Sequence, residues 1–125
     1  MASKTVKTIL SHVPISKAVH ANGMLYLSGE ASIDWNTRAT VPGDIRAQTR
    51  KTLSNLQETL DSVGSSLDKV VKVTVFLTDA INDFSGMNEV YAEFFPHEPP
   101  ARSTVGVSSL VRPDLIVEIE AIALP

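Results

Sequence analysis

Arg102 and Glu118 are the two side chains of this chain whose types and setting can do chemistry together. The arginine follows Pro99 and Pro100 in "HEPPAR", and the fixed φ of two prolines restricts the backbone that carries it. A guanidinium held in this way is a receptor for carboxylates. Its planar fork meets both oxygens at once, which a lysine cannot do. Glu118 and Glu120 lie in "LIVEIEAIAL", where Val117, Ile119 and Ala121 alternate with them. In a strand that spacing sends the apolar residues to one face and both acids to the other. Two outcomes stay open on these residues alone. The arginine and the acids form an anion pocket with a proton acceptor, or they are solvated charges, the acids paired with a cation such as Lys72 and the arginine in a surface salt bridge.

Other chemistries fit the composition poorly. There are no cysteines, which removes disulfides, thiolate nucleophiles and zinc–thiolate sites. His12, His20 and His97 lack the i,i+4 spacing of a helical metal site, so no metal and no cofactor are expected. A net charge of −3 does not supply the basic field that phosphate backbones need, so nucleic acid is not an expected partner. No apolar run approaches the ~18 residues of a membrane span, and the N-terminus lacks the apolar core of a signal peptide. The first acid is Glu30, so the basic start loosely suggests a mitochondrial presequence, although it holds no arginine. An ordinary first strand and a cytoplasmic protein are the expectation, with a mitochondrial one as the alternative.

The elements that must position these residues follow from local pattern. A length of 125 residues without a compositional break predicts one domain spanning 1–125. "TVKTIL" and "MLYLSGEASI" have the β-branched and aromatic content of strands, with Gly23 as punctuation, and "DWNTRATVPGD" reads as a connection out of the sheet. From Asp44 as N-cap, Ile45, Leu53, Leu56, Leu60 and Val63 recur at helical intervals until Gly64. Arg46, Arg50, Lys51, Gln57 and Asp61 form its solvated face. "DKVVKVTVFLTD" alternates as a half-buried strand, with Val71, Val73, Val75 and Leu77 inward. A second helix in "INDFSGMNEVYAEFF" carries a stripe of Phe84, Met87, Tyr91 and Phe94 or Phe95, read as core, and Pro96 helps to end it. The last two strands, "PPARSTVGVSSL" and "LIVEIEAIAL", complete a β-β-α-β-α-β-β order: an α+β sandwich with two helices on one face of a mixed sheet. The other face keeps apolar residues such as Ile116 and Ile122, which predicts an oligomer.

In order and spacing, "YLSGEASID", "GDIRAQTRKTLSNLQETLDSVGSSLDKVVKVTVFLTD", "FSGMNEVYAEFFPHEPPARSTVGV" and "VEIEAIA" closely resemble the RidA family of reactive intermediate deaminases, also called YjgF-like proteins. The resemblance runs from about Lys4 to Ala123, and "PPARSTVGV" with "VEIEAIA" is its most specific part. It implies a chorismate-mutase-like fold in a homotrimer, with an inner β-barrel and pockets between subunits. It also implies hydrolysis of small enamine and imine acids, of the 2-aminoacrylate and 2-iminopropionate type, to 2-keto acids and ammonia. In that light Arg102 matches the arginine for the substrate carboxylate, and Glu118 the acid that places the water. Gly29 matches a glycine whose backbone lines the pocket, Phe84 and Asn88 match wall residues at the subunit boundary, and Thr104 contributes a backbone N–H. Ile15 stands where the family has tyrosine and Glu30 where it has glutamine, so the substrate is expected to differ from the usual small imine acids. Two rival functions remain: a module that binds a 2-keto acid or other small carboxylate without turnover, and an RNA-cleaving translation inhibitor.

Overall fold

The computed structural model describes residues 4–10 and 12–125. Its main sheet has six strands: β1 (Lys4–Ile9), β2 (Ser16–Ala21), β3 (Met24–Ala31), β6 (Val70–Leu77), β7 (Ala101–Gly106) and β8 (Val117–Ala123). They are arranged β1-β2-β3-β8-β6-β7, with only the β6–β7 pair parallel, and β4 (Ile33–Asp34) pairs with β5 (Ala39–Thr40) in a separate ribbon. The helices α1 (Ile45–Ser62) and α2 (Ala80–Phe94) pack on each other and on one face of the sheet. The α+β class and the two-helix layer are as the sequence predicts.

The sheet has one strand more than that reading. Ser16–Ala21 is β2, where "SKAVHA" has too few β-branched residues to signal itself. The available signal was Asn22-Gly23, whose φ values of +52° and +75° form the tight hairpin turn that joins Ala21 to Met24.

The caps of α1 are those its sequence calls for. The Asp44 carboxylate accepts from the Ala47 N–H at 2.9 Å. At the other end Gly64, at φ +80°, lets the N–H groups of Gly64 and Ser65 reach the carbonyls of Asp61 and Leu60. Ile45, Leu53, Leu56 and Leu60 are buried and Val63 partly so. The face assigned to solvent does more than expected, because Arg46 and Arg50 pair with Glu89 and Glu93 of α2.

Polar residues also enter the core from α1. The Asn55 amide donates to the carbonyls of Ala31 and Ile33 at 3.0 and 2.8 Å. Gln48 donates to the Asp114 carbonyl at 2.8 Å and accepts from the Ile116 N–H at 3.1 Å. These amides satisfy backbone groups that the sheet leaves unpaired. They also tie the end of β3 and the approach to β8 to one rigid helix.

In β6 the burial pattern departs from strict alternation. Val73, Val75 and Leu77 are buried as predicted, but Val71 is 39% exposed and Val70 is buried instead. Val70 pairs with Ala123 and Lys72 with Ile122, so Val71 is an extra residue in a bulge, which shifts the alternation by one. On β8, Val117, Ile119, Ala121 and Ala123 face the helices while Glu118, Glu120 and Ile122 face away. Ile116, expected on that open face, packs instead against the main core.

The open face has an apolar row. Val6, Val19, Tyr26 and Ile122 are successive cross-strand partners, and Val6 and Tyr26 are among the exposed large hydrophobic residues.

Candidate functional site

Directly paired residues of neighbouring strands share a face, which locates each candidate. Arg102 pairs with Val73 and Thr104 with Val75, both on the helix-covered side. Arg102 therefore rises from edge strand β7 toward α2. Its guanidinium carbon sits 4.6 Å from the centre of the Tyr91 ring and 5.7 Å from that of Phe84. Phe84, Asn88 and Tyr91 follow one another at i, i+4 and i+7 on α2, so they line the side of the helix nearest the arginine.

Phe84, read as core, is 43% exposed, whereas Met87, Tyr91 and Phe95 are buried. Burial pushes the Tyr91 phenol up, with the nearby Arg102 charge pulling the other way. Its hydroxyl is buried beside the Arg102 guanidinium, without a hydrogen bond of good geometry among the described residues. The ion pairs of the described residues are Lys17–Glu30, Arg46–Glu89 and Arg50–Glu93, so Arg102 faces none of the acids. It is a stacked guanidinium with its hydrogen-bonding edge still available.

Glu118 lies elsewhere. It pairs with Phe76 on β6 and with Ala31 across a bulge in β3, on the open face. A Cβ at Gly29 would lie 2.5 Å from the Glu118 Oε2, so the carboxylate rests directly on the bare backbone of that glycine. Burial raises its carboxyl above the usual range, and the negative charges of Glu120 and Glu30 add to the effect.

Beside Glu118 opens a cleft of about 540 Å³ whose walls include Ile15, Gly29, Trp35 and Val111. A second depression of about 520 Å³, between α1 and the end of α2, contains neither Arg102 nor Glu118, and its Arg50 and Glu93 neutralise each other.

Within one chain the structure thus gathers the predicted residues into two groups. Arg102, Thr104, Phe84 and Asn88 share the β7–α2 edge; Glu118, Gly29 and Ile15 share the cleft. β6 separates the two strands, which places β7 and β8 about 10 Å apart. The two key side chains also leave opposite faces, so they cannot hold one small molecule from the same chain.

Glu30 is neither a solvent charge nor a free carboxylate. It is 1% exposed, pairs with Lys17 at 3.2 Å, and accepts from the Trp35 indole N–H at 3.0 Å and the Thr59 hydroxyl at 3.4 Å. Lys17 also lies 4.4 Å from the Trp35 ring centre. The repulsion that Glu30 would exert on an anionic ligand is therefore offset at its source. The sequence reading missed Lys17, Trp35 and the stacking role of Tyr91. The only local signal for the last was an aromatic residue seven positions after Phe84.

Three kinds of likeness accompany this geometry. A family model described as "Endoribonuclease L-PSP" matches residues 5–125. A RutC family protein of Pyrococcus horikoshii is 49% identical over 110 residues, covering 88% of this chain and 86% of its own. The protein mmf2, mitochondrial, of Schizosaccharomyces pombe is 49% identical over 113 residues, covering 88% and 86%. Among solved structures, YyfA of the conserved Rid protein family from Yersinia pestis, itself of unknown function, superposes with a TM-score of 0.89 at 41% identity. That match covers 98% of this chain and all of the other.

Proposed function

The chain belongs to the endoribonuclease L-PSP family, the group of the RidA and YjgF proteins, and on that premise we propose that it hydrolyses reactive imino and enamino acids to 2-keto acids and ammonia. The observation that carries this reading is the division of labour between the two groups of residues. One edge presents a stacked guanidinium with no acid on it. The other face presents a half-buried acid beside a cleft and a bare glycine backbone. Each is half of a site for a small acid with an electrophilic carbon. A second copy of the chain, docked on the open apolar face, supplies the missing half. The assembly we infer is a homotrimer with its sheets inward, since that arrangement covers Tyr26 and Val6 while closing the ring.

In the composite site Arg102 of one copy takes the substrate carboxylate in bidentate fashion, with Thr104 adding a backbone N–H at the free edge of β7 and Phe84 and Asn88 forming the wall. Glu118 of the neighbour orients a water toward C2. An enamino acid first takes a proton at C3 to become the imine. Water then adds to C2 of the iminium, one of its protons passes to Glu118, and a tetrahedral carbinolamine forms. That proton moves on to the nitrogen, the C–N bond breaks as the carbinolamine hydroxyl gives its own proton to the freed Glu118 carboxylate, ammonia leaves, and the carbonyl of the 2-keto acid remains. The sum is imino acid plus water giving keto acid plus ammonia. The protein contributes position and charge, the two terms that dominate when the carbon is already electrophilic. The elevated proton affinity of Glu118 suits a group that must both accept and return a proton.

Replacing Arg102 with alanine is expected to lower kcat/KM for 2-iminopropionate at least ~100-fold. Turnover near that of the parent protein by a folded Arg102→Ala variant overturns the assignment. A ligand-binding module predicts thermal stabilisation by 2-keto acids with no ammonia released. RNA cleavage, which the family description names, finds less support in a chain of net charge −3. The cytoplasm is the proposed compartment, with the mitochondrion as the alternative that relatives named mitochondrial favour. No helix among the described residues is long and apolar enough to cross a membrane.

A further inference from the structure

The cleft beside Glu118 is much larger than the reaction needs. A three-carbon imino acid displaces the volume of three or four waters, roughly 100 Å³, against about 540 Å³ available. The cleft's lining combines polar residues, His12, Lys17, Ser28, Glu30 and Arg112, with a larger apolar surface. Val13, Ile15 and Val111 line it at 36%, 45% and 84% exposure, so they are not held there by packing against the core. Trp35 adds an aromatic wall, itself packed on the small cluster of Ala31, Ile33 and Leu115. Of the two cations on the cleft wall, Lys17 is paired with Glu30 and lies over Trp35, while Arg112 donates from Nη1 to the neutral Thr40 hydroxyl at 3.2 Å. Glu118 and Gly29 thus share one cleft with Val13, Ile15, Trp35 and Val111.

Resting on the deaminase reading, we infer that this cleft is the subsite for the substrate's side chain and that it selects bulky apolar imino acids, branched aliphatic or aromatic, over three-carbon ones. With C2 beside the water on Glu118 and the carboxylate toward the neighbour's edge, the substituent on C2 has the cleft as its apolar destination. Each methylene removed from water there contributes to transition-state binding, and one methylene in an apolar pocket discriminates by ~10-fold or more. Ile15 and Val111 are specificity-determining residues on this account.

The test is ammonia release from freshly generated imines of alanine, leucine, phenylalanine and glutamate, with the intact protein and two variants. The leucine and phenylalanine imines are expected to exceed the alanine imine in kcat/KM by at least about tenfold. Ile15→Trp, which fills the cleft, and Val111→Asp, which charges its mouth, are each expected to cut the leucine-to-alanine ratio by at least about tenfold. Both positions are exposed in the single chain, so its folding is not at stake, and sedimentation shows whether assembly is kept. A preference for the alanine imine, or for the glutamate imine through Arg112, overturns the inference. So does a uniform loss across all four imines, or a change in sedimentation with no change in ratio, which would mean that a neighbouring copy fills the cleft. Binding is read in parallel as thermal stabilisation by 4-methyl-2-oxopentanoate against pyruvate. If no imine is hydrolysed but the branched keto acid stabilises more, and Ile15→Trp removes the difference, the deaminase reading fails and the subsite stands. Equal or greater stabilisation by pyruvate removes the subsite.

Discussion

The β7–α2 edge and the β3–β8 cleft differ in what holds their key charge. On the edge, Arg102 is fixed from below by an aromatic ring and from the chain side by two prolines, and it faces no acid. In the cleft, Glu118 rests on a glycine backbone, and its proton affinity is raised by burial and by two neighbouring acids. The first arrangement leaves a guanidinium's donors free to meet a ligand; the second disfavours the ionised form of a carboxyl and so raises its proton affinity. Neither does chemistry on a carbon–nitrogen bond alone. What the contrast teaches is that, on the proposed deaminase reading, the binding charge and the proton carrier lie on surfaces that a second copy has to bring together.

The sharpest way to break that comparison is complementation. Arg102→Ala and Glu118→Gln are each expected to lose at least ~100-fold in kcat/KM. Reassembling equal amounts of the two denatured variants is then expected to restore about a quarter of the parent activity, the fraction of subunit boundaries with both groups intact in a cyclic oligomer. If the mixture stays dead, the two residues act within one chain or not together at all.

A smaller effect is expected at Gly29. A methyl group there meets the Glu118 carboxylate at 2.5 Å, and the flexible end of that side chain is what yields. Gly29→Ala is predicted to cost about tenfold or more in kcat while leaving the melting temperature nearly unchanged. A large stability loss with normal kcat would show that the contact is structural.

The raised proton affinity of Glu118 gives two pH effects of opposite sign. As a base it must be ionised, so kcat/KM is expected to fall on the acid side at a pH above the usual carboxylate range. For stability, a carboxyl whose folded-state pKa is raised contributes fully at acid pH, and that contribution is lost as pH rises through the folded-state value. Glu118→Gln is therefore expected to melt slightly higher than the parent at neutral pH, the advantage disappearing below about pH 4. The same melting difference at both pH values would mean that burial does not govern this acid.

The smallest effect belongs to the surface latch between the helices. The Arg50–Glu93 pair has both side chains more than half exposed, and solvent screens such pairs. Glu93→Gln is predicted to leave turnover unchanged and barely move the melting temperature, and a marked loss of activity would show that α2 needs this latch to present Phe84 and Tyr91.

The parts legible in the sequence were those encoded within one segment. Helix α1 announced itself through Asp44, its leucine spacing and Gly64, and β8 through the alternation of Val117, Ile119 and Ala121 with its acids, because caps and side-chain periodicity act over a few bonds. The identities of Arg102 and Glu118 were equally plain. What the tertiary structure alone decided depends on residues far apart in the chain meeting. The bulge at Val71 arises from how β6 pairs with β8, the strand at Ser16–Ala21 from the partners on either side of it, and the neutralisation of Glu30 from Lys17, Trp35 and Thr59 converging. The separation of Arg102 from Glu118 onto opposite faces is of the same kind. Strand order and register set which way each side chain points relative to another, and no local pattern carries that information.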